Sequence, residues 1–268
     1  GGYLFRSEPF TPADPIFGLR GNVTIRDLTT PGSRWQTDLV LSETSSLRTS
    51  YEQPLLRPLS LVASLYVTGE PVRYYRERKV ESDYVSRDIG ASIGLRSVLC
   101  KSLELTGSAV AEWATTSLKG GVDRELESGI GQIGLSVIGI ADNLDRHPFP
   151  RGGTESIAEY QSRYQPATGA FFNTVDLRQT YYVPLLKASA FSLGYHLASD
   201  LDSDAPIVER AYLGGFGSFS GLHEQELSGG HAAVVSTALR FNVASLPVGF
   251  GDRLYLTLQG DAGNVWNR

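Results

Sequence analysis

The sequence predicts an all-β protein, a transmembrane antiparallel β-barrel, and three observations lead to this prediction. About thirteen segments, each of some ten residues, alternate apolar and polar side chains, as strands do when their two faces meet different surroundings. The connections between these segments alternate between tight turns and longer, more charged loops. The apolar runs are far shorter than the roughly 18 residues that a membrane-spanning helix needs.

The segment 190–198 (AFSLGYHLA) shows the alternation clearly, with Phe191, Leu193, Tyr195 and Leu197 on one face. The other face carries small and polar residues. In a soluble β-sandwich the apolar faces would form a core, but that core would be too long and too uniform here. A barrel resolves the difficulty because lipid covers one face and an aqueous lumen meets the other.

Thirteen strands are predicted in all. They lie at 1–8, 17–27, 33–43, 47–54, 59–69, 84–97, 103–114, 129–142, 154–163, 171–184, 190–199, 232–243 and 253–266. Their charged residues fall opposite the apolar faces, because a Lys or Arg that faces lipid near mid-membrane costs about 2–4 kcal/mol. The charged residues predicted to face the lumen are Arg20, Arg26, Arg34, Asp38, Asp88, Glu104, Glu112, Asp176, Arg178, Arg240 and Asp261. Arg87 is an exception, since it shares a lipid face but lies near a strand end, where the cost is small.

The lengths of the connections orient the barrel. The tight turns are 31–32, 55–58, 98–102, 147–153, 185–189 and 245–252, and the longer loops are 9–16, 70–83, 117–128 and 200–231. Only 44–46 breaks the alternation by being short. Outer-membrane barrels have short periplasmic turns and long outer loops, so the tight turns and the start of the chain are assigned to the periplasm.

The odd strand number has a consequence for closure. Thirteen antiparallel strands cannot close in the usual way, because the first and last run in the same direction. An unpaired edge in hydrocarbon leaves backbone groups unsatisfied, at several kcal/mol each. We therefore interpret residues 1–268 as one barrel domain that is incomplete at its C-terminal end, and we expect about three more strands after Arg268.

Composition excludes several classes of function. The mildly acidic net charge of −5 gives no nucleic-acid footprint. Cys100 is the single cysteine, so it forms no internal disulfide, and no Cys/His spacing resembles a metal site. The four histidines, at 147, 196, 223 and 231, are scattered over a turn, a strand and the longest loop. They are interpreted as ordinary polar surface, and we expect no metal and no cofactor.

Two short motifs each allow a functional and a plain interpretation. Residues 217–221 (GSFSG) superficially suggest a serine-hydrolase elbow, but that elbow needs a serine centred between two glycines at a strand-to-helix turn. Phe219 stands at the centre and no helix follows, so no catalytic residue is predicted. Residues 74–79 (YYRERK), at an outer hairpin, either contact lipopolysaccharide phosphates or form a solvated loop, which is the favoured interpretation.

The segment 200–231 is too long for a hairpin connection, and loops of this size are usually functional or disordered. With 142–153 (DNLDRHPFPRGG) and 261–266 (DAGNVW), it resembles the outer-membrane translocator and insertase barrel superfamily, the bacterial surface antigen family. The chain is most similar to the C-terminal barrel of patatin-like phospholipase autotransporters. The motifs that carry this likeness are Leu213-Gly214-Gly215-Phe216, Ser220-Gly221 and Gly263-Asn264-Val265-Trp266. The resemblance implies sixteen strands and a sixth outer loop folded into the lumen. It also implies a hydrolase in a separate N-terminal domain, and this chain contains none of that hydrolase.

One position departs from the family pattern. Many relatives place an arginine before the loop glycine, and it pairs in the lumen with an acidic residue on strand thirteen. Here that position resembles Ser220, while Asp261 keeps the acidic place. Arg240 or Arg178 could replace the arginine as the partner of Asp261. Alternatively, Ser220 could hold Asp261 through hydrogen bonds, which are weaker than a bidentate arginine–carboxylate pair.

The leading hypothesis is an outer-membrane barrel that anchors or translocates an attached or partner protein, with the loop near 200–231 occluding the lumen. A porin-like solute channel and an outer-membrane protein insertase are the alternatives. A barrel enzyme such as a lipase would need a lipid-facing Ser/His pair near one interface, and the sequence shows none, so no enzyme is predicted. The expected partners are outer-membrane lipid, lipopolysaccharide and a passenger or periplasmic domain N-terminal to the barrel. Self-association into a homo-oligomer stays open.

Overall fold

The structure, a computed structural model, confirms the all-β prediction. It describes residues 2–5, 16–42, 44–76, 79–121, 128–147, 149–186, 189–201, 205, 210–215, 219–220, 222–223, 225–246 and 253–267. Within these ranges no helix is long and apolar enough to cross a membrane. Thirteen strands form one antiparallel sheet, and two short strands form a separate hairpin.

Neighbouring strands of the sheet follow one another along the chain, and the separate hairpin lies in the chain between the eleventh and the twelfth of them. The strands are β1 Gly2–Phe5, β2 Ile16–Arg26, β3 Arg34–Leu41, β4 Ser45–Leu56, β5 Leu59–Arg76, β6 Lys79–Cys100, β7 Leu103–Gly121, β8 Ser128–Asp142, β9 Gly153–Gln165, β10 Ala170–Leu186, β11 Ser189–Ser199, β12 Ala211–Leu213, β13 Leu227–Gly229, β14 His231–Ser245 and β15 Arg253–Trp266. The thirteen predicted strands correspond one to one with the strands of the sheet.

The largest differences from prediction lie at the outer ends of β5, β6 and β7. The described residues of the predicted loops 70–83 and 117–128 are strand, since β5 extends to Arg76, β6 begins at Lys79 and β7 extends to Gly121. The apolar–polar alternation fades there because a hairpin that extends beyond the bilayer meets water on its outer face. Backbone pairing continues where that pattern stops, so the sequence signal ends before the strand does.

The wall has two faces of opposite character. On β8, Gln132 is 3% exposed while its neighbour Ile133 is 51% exposed. Further along the same strand, Ser136 is buried and Leu135 is exposed. A soluble domain would bury the aliphatic residues and expose the polar ones. The inverted pattern is that of a barrel wall with lipid outside and a polar lumen inside.

The tight turn between β8 and β9, predicted to be periplasmic, is held by two carboxylates. Oδ1 of Asp145 accepts hydrogen bonds from the backbone N–H groups of Arg151 at 2.8 Å and Gly152 at 3.1 Å. The backbone N–H of Leu144 donates to Oδ1 of Asp142 at 2.9 Å. These bonds satisfy backbone groups that no neighbouring strand can pair, so the turn has a defined shape although it is exposed.

Among the described strands, β1 pairs with β2 alone and β15 pairs with β14 alone. The described part of the sheet has thirteen strands, the number predicted. The further strands expected after Arg268 stay a prediction.

Candidate functional site in the barrel lumen

The long loop between β11 and β14 folds on itself. Its strands β12 and β13 pair in antiparallel register from Ala211 opposite Gly229 to Leu213 opposite Leu227. At the base of the loop, the backbone N–H of Asp200 donates to the carbonyl of Gly230 at 2.8 Å. The described part of the loop is thus held together by backbone pairing.

This loop packs on the inner face of the barrel wall. Leu213 is 1% exposed and forms a buried cluster with Ala232 and Val234 of β14. These two β14 residues alternate with Val235, which is 50% exposed on the opposite face. The partly buried residues packed against the cluster are Ala198, Ala211, Phe219, Leu227 and Val265. The loop therefore lies on the lumen side of β11, β14 and β15.

A polar contact fixes the tip of the loop to β15. Oδ2 of Asp261 accepts a hydrogen bond from the backbone N–H of Ser220 at 2.8 Å and a second bond from its Oγ. Nε2 of Gln259 also donates to this carboxylate, at 3.1 and 3.2 Å. The structure thus brings together the two predicted residues Ser220 and Asp261.

The expectation that Arg178 could replace the missing arginine is wrong in this structure. Nε of Arg178 lies 2.8 Å from Oδ1 of Asp176 on its own strand. The other oxygen of that carboxylate lies 2.6 Å from Nε2 of His196. Arg178 also lies three strands from Asp261, about 14 Å across the sheet, so the nearer carboxylate binds it.

Arg240 does not reach Asp261 either, although it faces inward as predicted. It pairs with Thr257 on β15, four residues from Asp261 and so about 13 Å away along the strand. Its guanidinium donates to the carbonyl of Pro150 in the β8–β9 turn. The same group lies 5.6–6.0 Å from three aromatic ring centroids, those of Phe149, Tyr182 and Tyr255. Arg240 therefore fastens the periplasmic turn to the wall.

The two glycines of the predicted loop motif are required by backbone conformation. Gly214 has φ +132° and Gly215 has φ +89°, in the region that side chains rarely adopt. A Cβ on Gly214 would also overlap the carbonyl oxygen of His223. The backbone N–H of Gly215 donates to the carbonyl of Leu222 at 3.1 Å, which closes the tip. Phe216 and Gly221, the other predicted motif residues, lie outside the described residues.

The loop has a second attachment, on the opposite side of the lumen. Oε1 of Gln225 accepts a hydrogen bond from the backbone N–H of Arg73 on β5 at 3.0 Å. The ring of His223 stacks on Tyr75, with centroids 6.4 Å apart. Pairing between β4 and β5 ends at Gly69, so the β5 backbone beyond it has no β4 partner. Sequence reasoning missed this contact because nothing in a lone glutamine indicates which distant strand it meets.

An ion-pair chain runs along the inner face of the wall near the predicted periplasmic ends of β3–β7. Glu52 binds Arg34 at 2.8 Å and Arg96 at 3.1 Å, and Arg96 binds Glu104 at 2.5 Å. The predicted inward direction of Arg34 and Glu104 is consistent with these contacts. The chain links four strands across the inner face of the sheet.

A second polar network lies nearer the outer end. Tyr66 Oη donates to Glu112, and Nε2 of Gln132 donates to the other oxygen of that carboxylate at 2.6 Å. Arg48 lies over the Tyr66 ring, 5.7 Å from its centroid. A cavity of about 280 Å³ is lined by Arg48, Tyr66 and Glu112, and two further cavities, of about 350 and 410 Å³, are lined in part by Tyr212 of the loop. The lumen is therefore polar and narrowed.

One Ser/His pair appears that the sequence did not reveal. Oγ of Ser199 and Nδ1 of His231 lie 2.9 Å apart on facing positions of β11 and β14. Both share the outward face with Leu197 and Val235, and the imidazole packs on Trp266 at 5.8 Å. Of the described residues, no carboxylate bonds His231 to orient it as a catalytic base. Ser199 Oγ instead accepts the backbone N–H of Leu201 at 3.1 Å, so this pair supports the start of the loop.

The remaining candidate ligands are dispersed. His147 contacts Asp142 at 3.0 Å in the periplasmic turn, and Cys100 is exposed at the end of β6. Among the described residues, no three His, Cys, Asp or Glu side chains are grouped so that they could hold a metal ion. The loop and its two attachments are therefore the candidate site.

Comparisons with known proteins agree with this architecture. A family profile described as the Omp85 superfamily domain matches residues 32–268. The crystal structure of BamA from Haemophilus ducreyi lacking POTRA domains 1–3 is similar at a TM-score of 0.74 and 15% identity, over 99% of this chain and 56% of that one. CdiB from Acinetobacter baumannii is similar at a TM-score of 0.59 and 17% identity, over 95% of this chain and 47% of that one.

The chain thus spans about half the length of the solved structures that it matches. A comparison with curated protein sequences found no significant match. The profile covers most of the chain and the likeness to solved structures supplies the fold. The chain is a bacterial outer-membrane β-barrel that belongs to the Omp85 superfamily.

Proposed function

We propose that this barrel anchors or translocates an attached or partner protein across the outer membrane, and that the loop 200–231 closes its lumen between events. The observation that carries the proposal is the double attachment of the loop. Ser220 bonds Asp261 on β15, and Gln225 bonds the Arg73 backbone on β5. A segment held on two opposite walls obstructs the lumen, and its release would open a path.

Release of the loop requires little free energy at each attachment. The contacts to Asp261 and to the Arg73 backbone are hydrogen bonds, each with a net contribution of about 0.5–1.5 kcal/mol, or about 1.5–3 where a charged group takes part. The buried cluster around Leu213 adds apolar packing against β14. Attachments of this size suit an element that a passing segment could displace.

The partner is proposed to be a passenger or periplasmic domain N-terminal to the barrel. Support comes from the matched BamA structure, whose description names POTRA domains. A patatin-like hydrolase is the more specific proposal, and it is supported by the motifs at 213–216 and 263–266. This proposal is tested by determining which residues precede this segment in its natural gene. A hydrolase would support an autotransporter, whereas repeated small α/β modules alone would support an insertase or a partner-secretion protein.

A porin-like channel is the second candidate, because the lumen is lined by polar residues and holds cavities. Conductance in planar bilayers distinguishes the two functions, before and after deletion of residues 213–230. A translocator closed by its loop should conduct little and become leaky on deletion. An open porin should conduct from the start and barely change, which would overturn the proposal.

A further inference from the structure

The outward face of β5–β8 carries an apolar groove of about 610 Å³. Four residues lie side by side across it in register: Leu65, Ala91, Ala111 and Ile133. Leu65 and Ile133, at the two ends of this row, are 61% and 51% exposed and form the walls of the groove, while the two alanines form its floor. A shallow trough of this shape fits a linear aliphatic chain.

Trp113 borders the groove on its outer side. Its indole lies over β8, where a Cβ on Gly131 would come 3.1 Å from the ring and one on Gly129 would come 3.4 Å from it. The ring is therefore turned along the sheet toward β8, and it is 54% exposed. Indole rings at the ends of membrane strands mark the interface between acyl chains and head groups.

The cationic side chain of Arg87 lies directly beyond the outer end of the groove. Arg87 shares the outward face of β6 with Ile89, which lines the groove two residues away, about 6.6 Å along the strand. Its cross-strand neighbours are Gly69 and Thr115, which leave the side chain room to reach outward. Arg87 is exposed, and it forms no hydrogen bond or ion pair with any residue that the structure describes.

The orientation of the barrel indicates what this cation meets. Arg87 lies toward the long β5–β6 hairpin, which is the outer end of the wall, so its surroundings are the head groups of the outer leaflet. An outward arginine there lies at the level of the lipid phosphates, and an anionic head group beside it forms a favourable ion pair. The pairing of an apolar trough with a cation at its outer end matches a phosphorylated lipid.

We propose that this groove and Arg87 form a binding site for an outer-leaflet lipid of the lipopolysaccharide class. An acyl chain lies over Ala91 and Ala111 between Leu65 and Ile133, and a lipid phosphate binds the Arg87 guanidinium. The site rests on the outer-membrane location of the barrel and not on the proposed transport of a partner protein. It is on the opposite face of the wall from the lumen loop.

Native mass spectrometry of the detergent-purified protein with bisphosphorylated lipid A tests the site. Wild-type protein should retain one lipid, and Arg87→Ala should lower the bound fraction about five-fold, the contribution typical of one Lys or Arg beside an anionic lipid surface. Ala111→Phe, which fills the floor of the groove, should lower it as well. Arg57→Ala, in the exposed β4–β5 turn at the periplasmic end, removes the same charge and should change nothing.

Correct folding of each variant is checked by its heat-dependent shift in gel mobility. Equal lipid retention by wild type and Arg87→Ala would overturn the proposal, as would equal binding of lipid A that lacks both phosphates. Displacement of the lipid by inorganic phosphate alone would overturn it, because the acyl groove would then contribute nothing. A dimer that Ala111→Phe abolishes without lipid would show that a second copy of this chain occupies the groove.

Discussion

The backbone N–H and the hydroxyl of Ser220 both donate to a single carboxylate oxygen of Asp261, 41 residues further along the chain. Ser220 sits at the tip of a lumen loop, and Asp261 faces inward from β15. A short neutral side chain thus makes a contact that many relatives are expected to make with an arginine. The hydroxyl reaches only because the loop backbone itself comes within 2.8 Å of the carboxylate.

Removal of this carboxylate should loosen the loop. Asp261→Ala leaves both Ser220 donors without their acceptor, at about 1–3 kcal/mol of lost loop attachment. Ser220→Ala should cost less, because the backbone N–H still bonds Asp261. Bilayer conductance should rise in the order wild type, Ser220→Ala, Asp261→Ala. Asp38→Ala is the control, since that carboxylate bonds Asn22 and Gln36 and not the loop. Equal conductance in all four proteins would contradict the assignment.

The opposite attachment should act independently. Gln225→Ala removes the acceptor for the Arg73 backbone N–H and should raise the conductance modestly, because one hydrogen bond contributes about 0.5–1.5 kcal/mol. The double variant Gln225→Ala/Asp261→Ala should open the lumen more than either change alone. A double variant no more open than Asp261→Ala would show that the β5 contact does not hold the loop.

The tip of the loop should not tolerate a side chain at Gly214. Gly214→Ala places a Cβ at φ +132° and against the His223 carbonyl, so a strain of about 1–3 kcal/mol is expected. Limited proteolysis should then cut between residues 205 and 230 faster than in wild type. Gly21→Ala is the matched control, because a Cβ there meets nothing within 4 Å. Identical cleavage rates in the two variants would contradict the expected strain.

The periplasmic turn should show a pH dependence. The backbone N–H groups of Arg151 and Gly152 hold the pKa of Asp145 below its usual range. A carboxyl whose pKa is lower in the folded than in the unfolded protein stabilises the fold above the unfolded pKa, and this is lost as the pH falls through the folded pKa. Asp145→Asn should therefore lower the midpoint of thermal unfolding slightly near neutral pH. The two proteins should converge in acid, and a difference that persists there would point to turn shape and not to charge.

Most of the wall could be predicted from the sequence, because alternation along a strand is set by the two surroundings of its faces. Residues such as Gln132 and Ile133 differ in polarity and therefore lie on opposite faces. The outer parts of β5–β7 could not be found in this way, since water replaces lipid on their outer face while their inner face buries apolar residues such as Val72 and Tyr84. The strands there persist through backbone pairing, to which side-chain polarity gives no clue.

The site was predicted in part. Glycines 214 and 215 and the acid at 261 carry local signals, either a backbone requirement or a family motif. The partners of Arg240 and Arg178 depend on which strands are neighbours and on the register in which these strands pair. The presence of a charge in the sequence does not give that information. The Ser199–His231 pair and the Gln225–Arg73 contact join residues 32 and 152 apart in sequence. Only the folded sheet brings them together.

Hydrogen exchange in nanodiscs tests most directly whether the loop spans the lumen. The backbone N–H of Ser220 in the loop bonds Asp261 on β15, and the backbone N–H of Arg73 on β5 bonds Gln225 of the loop, so both should exchange slowly in wild type. Both should exchange quickly in the double variant Gln225→Ala/Asp261→Ala, while the β14 amides stay protected. Exchange of both amides in wild type at the rate of an exposed loop would show that the loop does not bridge the lumen, and the proposed closure would be wrong.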